Sequence, residues 1–244
     1  NATFKDVDGK ENYIYTTAYG PAISRILVSV IAMHGDDKGL VMPYCISPVK
    51  VIIVPIYDAK NKLKVLKYCK EISSNLNALG VQNWLNSKEG NSPGWKFHES
   101  ELKGIPFRLE IGEKEVTAKK VTLYIRDTEK KESLTMKSLS KIKDFGNAYD
   151  ERLKKKADNL MSDRIVNCKS KDDLKKALNS GKVGRVNFCS VDKSGEKCAE
   201  HIEKDLGAEV RGTMANKSEK PTANSKCIIC NSPAKEVVYV GRSY

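Results

Sequence analysis

Four cysteines near the end of the chain stand in two pairs, Cys189 and Cys198 with eight residues between them, and Cys227 and Cys230 with two. Four thiolates in this pattern suit tetrahedral zinc, whose bonds to sulfur run to about 2.3 Å, and an all-cysteine set leaves no position for a catalytic water. Such a site is structural. A Cys-x-x-Cys pair also serves redox chemistry, but no thioredoxin-like strand and helix pattern surrounds Cys227. His201, three residues after Cys198, is either a substitute ligand or an exposed helix residue. Cys45, Cys69 and Cys168 fall outside the pattern and read as small core or surface residues.

A second kind of chemistry is suggested by Arg25. Gly20-Pro21 forces a turn, and Ile26, Leu27, Val30, Ile31 and Met33 then recur at helical spacing, which predicts a buried helix with Arg25 in its first turn. A cation there runs against the helix dipole. Arg25 is therefore either a surface arginine of an ordinary amphipathic helix or a residue that holds a polyphosphate. Asp36-Asp37-Lys38-Gly39 reads as a turn with satisfied carboxylates rather than a metal site. Further on, Glu101 and Arg108 bracket Lys-Gly-Ile-Pro. A carboxylate accepts from guanine amino groups and arginine donates to guanine acceptors, so the pair is suited to reading RNA bases; a salt bridge between helix and strand is the other reading. Trp95 and Phe97 either stack on an unpaired base or pack in a core.

These residues must be positioned by α/β elements. Lys50–Ile56 reads as a buried strand, and Leu63, Leu66, Cys69, Ile72, Leu76 and Leu79 mark a helix that stops at Gly80. Residues 86–98 carry turn signals and lead to a short helix. Phe107–Ile111 and Val121–Ile125 alternate as strands joined by 112–120, and Leu134 to about Met161 is largely helical. Ser170 caps a helix with acids in its first turn, and Val183–Phe188 is a strand. A polar loop over 213–226 then precedes a hairpin-like segment at Val237–Val240. The chain has 244 residues, room for two modest domains, and its net charge of +12 favours a polyanionic partner, RNA above all, although a merely soluble lysine-rich protein carries such charge too. No apolar run approaches the ~20 residues of a membrane span. With no signal peptide and an odd number of cysteines, seven, the expectation is a cytoplasmic protein with thiols and metal rather than disulfides.

Gly20, Ser24-Arg25, His34-Gly35-Asp36-Asp37-Lys38-Gly39-Leu40, Pro43 and Pro48–Ile56 resemble the third signature motif of class II aminoacyl-tRNA synthetases, in the form seen in prolyl-tRNA synthetases. Ser92–Phe97, Glu101–Pro106, Arg108–Gly112, Arg126-Asp127-Thr128 and Gly241–Tyr244 resemble the archaeal and eukaryotic branch of that family. The resemblance implies an α/β chain in three parts: the end of an antiparallel-sheet catalytic domain over 1–47, a mixed-sheet anticodon-binding domain over 48–150, and a small α+β zinc-binding domain over 151–244. It implies a ligase that joins L-proline to tRNA(Pro) through prolyl-adenylate, using ATP and Mg2+, with structural Zn2+ on Cys189, Cys198, Cys227 and Cys230. Arg25 would be the arginine that holds the ATP phosphates, with Thr17, Gly20 and Ser24 beside the nucleotide and Tyr19 lining the proline pocket. Glu101, Arg108 and Lys130 would read the anticodon. His34 would be positional, because the attacking proline carboxylate needs no enzymatic base. The first two class II motifs have no counterpart here and the chain starts at Asn1, so the expectation is the C-terminal portion of a longer polypeptide, inactive without an N-terminal catalytic segment and homodimeric when whole. The rival reading is a non-catalytic tRNA-binding or accessory module derived from a synthetase.

Overall fold

The computed structural model describes residues 2–15, 17, 20 and 22–243, which form two compact units, Asn1–Leu153 and Lys154–Tyr244. The first opens with an exposed antiparallel pair, β1 (Thr3–Lys5) and β2 (Glu11–Tyr13), followed by α1 (Ile23–His34). Then come β3 (Val51–Pro55), α2 (Lys62–Ala78), β4 (Asn83–Leu85), α3 (Pro93–Leu102), β5 (Phe107–Ile111), α4 (Glu113–Ala118), β6 (Lys120–Ile125), β7 (Lys131–Thr135) and α5 (Ile142–Arg164). The sheet order is β4-β3-β5-β6-β7: β3 runs parallel to β4 and β5, and β6 and β7 add antiparallel.

Burial explains the central strands. All five residues of β3 are buried, as a short β-branched run between two covered faces should be. One face packs Val51, Ile53, Phe107, Leu109 and Ile111 against Val65, Cys69, Ile72 and Leu76 of α2 and Ile142 and Tyr149 of α5. The other face carries Ile52 and Val54, packed with Ile105, Trp84 and Phe97. Leu63, predicted on the apolar face of α2, is instead 85% exposed, since it lies in the first turn one position off the buried stripe. The alternation of β5 also has a different outcome from a half-solvated strand. Arg108 and Glu110 point to the side opposite Leu109, yet both are buried.

The helix around Arg25 forms as the spacing predicts, but it is not buried. Ile23, Ile26, Leu27 and Val28 are between 45% and 73% exposed, and only His34 at its C-terminal end is buried. The correction has a simple cause: the apolar stripe of α1 meets no covering element among the described residues. The segment after α1, by contrast, is firmly held. Gly39, at φ +135°, lies so close to Leu102 and the Glu101 carbonyl that no side chain fits, and Gly104, at φ +66°, does the same against Leu40. The Leu40 amide donates to the Leu102 carbonyl and the Met42 amide to that of Gly104. Arg126, 1% exposed, forks onto both oxygens of Asp36 at 2.7 and 2.5 Å, and Lys38 pairs with Glu129 at 2.7 Å.

The second unit is a four-stranded sheet of order β10-β11-β9-β8, where β8 is Ile165–Asn167, β9 Val183–Phe188, β10 Glu209–Gly212 and β11 Glu236–Gly241. β8 and β9 are parallel and β11 lies antiparallel between β9 and β10. Its helices are α6 (Lys171–Asn179) and α7 (Glu196–Leu206). The Ser170 hydroxyl accepts from the Asp173 amide while the Asp173 carboxylate accepts from that of Ser170, so the predicted cap is a full capping box. Leu174, Leu178, Val186, Phe188, Ile202, Val238 and Val240 form its core.

Residues that escaped sequence reading are short or weakly patterned. β4 has three residues, α4 has six, and β7 reads Lys-Glu-Ser-Leu-Thr at the sheet edge, where one apolar side chain suffices. Residues 134–135, expected within a helix, belong to this strand, and the following 136–141 form a 3-10 turn before α5.

The hydrogen-bonded fork from Arg126 holds the Asp36 carboxyl down at about 2, against an ordinary 3.8. A depressed carboxyl adds stability that is present above its unfolded value and lost as pH falls through the folded one, here from about pH 4 to about pH 2. Asp36→Asn is therefore expected to flatten that part of the acid limb in urea unfolding measured across pH. An unaltered limb would show that the pair does not couple to folding.

Candidate nucleic-acid interface and metal centre

Arg108 is the centre of the first site. β5 carries it onto the sheet face beneath α3, where it is 4% exposed. Its guanidinium carbon lies 4.1 Å from the centroid of the Phe97 ring and 4.0 Å from that of Tyr124, within reach of both π faces. Nε and Nη2 donate to Glu110 Oε1 at 3.1 and 3.0 Å, and Nη1 donates to Ser100 Oγ at 3.1 Å and Glu101 Oε1 at 3.1 Å, with a longer bond to the Phe97 carbonyl. Lys131 Nζ donates to the other Glu110 oxygen at 2.7 Å. Cross-strand register accounts for this alignment, because Arg108 faces Tyr124 and Tyr124 faces Lys131.

The arrangement divides the roles of the three residues singled out for base reading. Arg108 has its guanidinium engaged from every nitrogen and offers little to a ligand. Glu101, at the end of α3, is fixed through Oε1, while Oε2 accepts no hydrogen bond from a described residue; the side chain remains 17% exposed. Lys130 is exposed at the mouth of the β6–β7 turn, held by the Ile125 amide donating to its carbonyl at 2.9 Å. The exposed Trp95 and the half-buried Phe97 sit on α3, and Phe97 stacks on Arg108. Ser100, Glu110, Lys131 and Tyr124 were missed by sequence reasoning. Glu110, two residues after Arg108 on one strand, was the only legible hint, since both must project to one face.

The adenylate-site expectations stand apart from this cluster. Ser24 and Arg25 are exposed on α1; Thr17 and Gly20 are exposed in irregular backbone. No hydrogen bond among the described residues joins them, and the N-terminus of α1 has neither a side-chain cap nor an acidic residue. Tyr19 lies outside the described residues, as do Thr16 and Tyr244.

The second unit does bring the four predicted cysteines together. Cys189 follows β9, Cys198 lies in the first turn of α7, and Cys227 and Cys230 occupy the loop before β11. Their sulfur atoms all lie within 4.8 Å of one another. Bonds of ~2.3 Å to a tetrahedral ion would set the sulfurs about 3.8 Å apart, so a small contraction closes the set. The loop is already shaped for this: the Cys227 amide donates to the Ser232 carbonyl, the Asn231 amide to the Cys227 carbonyl, and Asn231 takes φ +57°. The Ile228 amide ties the loop to Asn187 of β9. Burial pushes the Cys189 and Cys198 thiols up, while hydrogen bonds from Ser232 pull Cys230 down to about 6. His201 is exposed on α7 with Nδ1 3.5 Å from Asp205, outside the thiol cluster. Cys69 and Cys168 are buried and Cys45 is exposed, each away from it.

Residues 50–143, which carry the five-stranded mixed sheet and the Arg108 cluster, match the family of anticodon binding domains, the class of fold found in aminoacyl-tRNA synthetases. Residues 171–244 match the C-terminal family of prolyl-tRNA synthetase. The chain belongs to the prolyl-tRNA synthetase family. It is 40% identical over its whole length to a proline–tRNA ligase of Thermofilum pendens, of which it covers 50%, and 35% identical to that of Nanoarchaeum equitans, of which it covers 44%. Among solved structures it is similar to Giardia lamblia prolyl-tRNA synthetase in complex with prolyl-adenylate, at 29% identity and a TM-score of 0.82 over 91% of this chain and 48% of that one. The chain thus spans about half the length of the relatives it matches.

Because Arg108 and Glu110 are both buried, removing the guanidinium leaves Glu110 Oε1 and Glu101 Oε1 without their donor, with Lys131 the remaining cation on Glu110. Arg108→Ala should lower unfolding free energy by about 3–5 kcal/mol, read by urea denaturation, whereas Lys130→Ala at its exposed position should change it by less than about 0.5 kcal/mol. Equal effects at the two positions would contradict the burial argument.

Proposed function

We propose that this chain is the C-terminal portion of a proline–tRNA ligase, and that Glu101, Arg108 and Lys130 form its anticodon-reading set. The observation that carries the reading is the carboxylate of Glu101, locked at one oxygen by a buried arginine and open at the other. A carboxylate accepts from amino groups on base edges, and the exposed Lys130 of the β6–β7 turn serves phosphates or base acceptors. Arg108 holds Glu101 in place through the bond from Nη1 to Oε1. Similarity to relatives that are all proline–tRNA ligases supports the ligase over an accessory module.

In the whole polypeptide, proline carboxylate attacks the α-phosphate of ATP, expels pyrophosphate and gives prolyl-adenylate, from which proline passes to tRNA(Pro). Mg2+ bound with ATP neutralises phosphate charge as it builds. On this reading Arg25 holds the ATP phosphates, Thr17, Gly20 and Ser24 border the nucleotide and Tyr19 borders proline. The exposed apolar stripe of α1 supports a further covering segment of the same polypeptide, which would complete this site in a cytoplasmic homodimer. Cys189, Cys198, Cys227 and Cys230 hold Zn2+, which fixes the loop before β11.

Two measurements in the full polypeptide separate these roles. Arg25→Ala should cut ATP–pyrophosphate exchange by about 10^2-fold or more while tRNA binding persists; Glu101→Ala should cost roughly 1–3 kcal/mol in kcat/KM for charging with exchange unchanged. Equal losses of both activities in either variant would sink the division. For the metal, strong chelation should release one Zn2+ per chain and lower the melting temperature of the Lys154–Tyr244 unit, and Cys198→Ser should abolish that zinc. A chain with no zinc and an unshifted melt would overturn the assignment.

A further inference from the structure

At the carboxyl ends of the parallel strands β3 and β4 lies a cavity of about 210 Å³ that no role above uses, lined by Pro55, Tyr57, Lys88, Glu89, Pro93 and Lys96 among others. This is the end of an open parallel sheet at which α/β folds gather ligands. The N-terminus of the ten-residue α3 opens onto it, capped by Ser92 and begun by Pro93.

Lys96 is the residue that needs explaining. It is 3% exposed, yet its one side-chain hydrogen bond among the described residues runs from Nζ to the Asn86 carbonyl at 3.1 Å, and no described carboxylate lies within ion-pair distance. An ammonium has three donors, and a buried cation normally has a partner of opposite charge. Burial accordingly pushes its pKa down. The one acid of the lining, Glu89, is turned to Lys62 at 2.6 Å and is itself largely exposed. Lys88 is exposed on the rim. Glu89 and Glu99 both attract Lys96 from beyond ion-pair distance, but Glu89 is paired with Lys62 and Glu99 with Lys103, so neither neutralises it directly, and a helix N-terminus adds to the positive potential.

We propose that this cavity binds a phosphoryl group, with Lys96 as its buried cation and Lys88 at its entrance. The group comes either from the backbone of a bound RNA or from free phosphate. The RNA source rests on the anticodon reading above; the phosphate chemistry does not.

The test titrates the full polypeptide with inorganic phosphate by calorimetry, and separately with a proline-tRNA anticodon stem-loop at several salt concentrations. Lys96→Gln keeps a donor for Asn86 and removes the charge. Saturable phosphate binding that this variant weakens about tenfold or more establishes the site with free phosphate as ligand. Weaker RNA binding with a salt slope reduced by about one, without phosphate binding, establishes it with the RNA backbone as ligand. Should Lys96→Gln lose its cooperative melt, Lys88→Glu decides alone, because it reverses a lining charge on an exposed side chain. Binding of both ligands unaffected by either variant overturns the proposal. Glu101→Ala, run in the RNA arm, keeps the two readings apart: indifference to Glu101 with dependence on Lys96 removes the base-reading role and leaves the phosphoryl site standing.

Discussion

A guanidinium inside a protein face must be neutralised and its donors met, and in the first unit that requirement organises everything around Arg108. Glu110, from the same strand, accepts from Nε and Nη2 through one carboxylate oxygen, Ser100 and Glu101 reach down from α3, and two aromatic rings flank the guanidinium. Few helix placements meet all of these partners at once. Position of α3, identity of the residue opposite on β6, and direction of the Glu101 carboxylate are thus one linked solution. Buried ion pairs contribute little net stability over an apolar core, but they penalise any arrangement that leaves a partner unmet. Here the penalty fixes a carboxylate at the surface with one oxygen open, a geometry that a hydrophobic contact would not specify.

The same logic extends outward through Arg126. Its fork onto Asp36 and the Lys38–Glu129 pair tie the turn after α1 to the turn that carries Lys130, while Gly39 and Gly104 let that turn press against Glu101–Leu102. Helix α1 therefore leaves a rigidly seated base, though its own apolar stripe is bare. An exposed stripe above a fixed base is physically reasonable where another segment supplies the missing surface. In the second unit rigidity has another source. A small core of Leu, Ile, Val and Phe is supplemented by four converging thiols, and the loop carrying two of them is pinned to β9 by a backbone bond.

Excess positive charge, spread over both units, suits a polyanion without specifying where it binds. Specific contacts arise only where charge is held still. Glu101 is held by Arg108; Lys96 is held by Asn86 and by the packing of α3. The exposed lysines elsewhere add attraction and on-rate rather than register.

Local pattern was enough to read β3, β5, β6, β9, the cap of α6 and the cysteine spacing, because burial periodicity and capping chemistry act over a few residues. It was enough to pick out Glu101 and Arg108 as residue types that suit base recognition, whereas Lys130 came only from the resemblance to the family. It missed β4, α4 and β7, whose three to six residues carry too weak a period. Only tertiary structure decided that the polar face of β5 is buried rather than solvated, since that depends on where α3 lies. Only it decided that Arg108 is saturated while Glu101 keeps an oxygen that accepts from no described residue, that α1 lacks a cover among the described residues, and that Lys96 is buried without a direct ion pair there. Periodicity states which side chains share a face; what that face meets is set by contacts between residues distant in sequence, and the energy of a charge depends on those contacts.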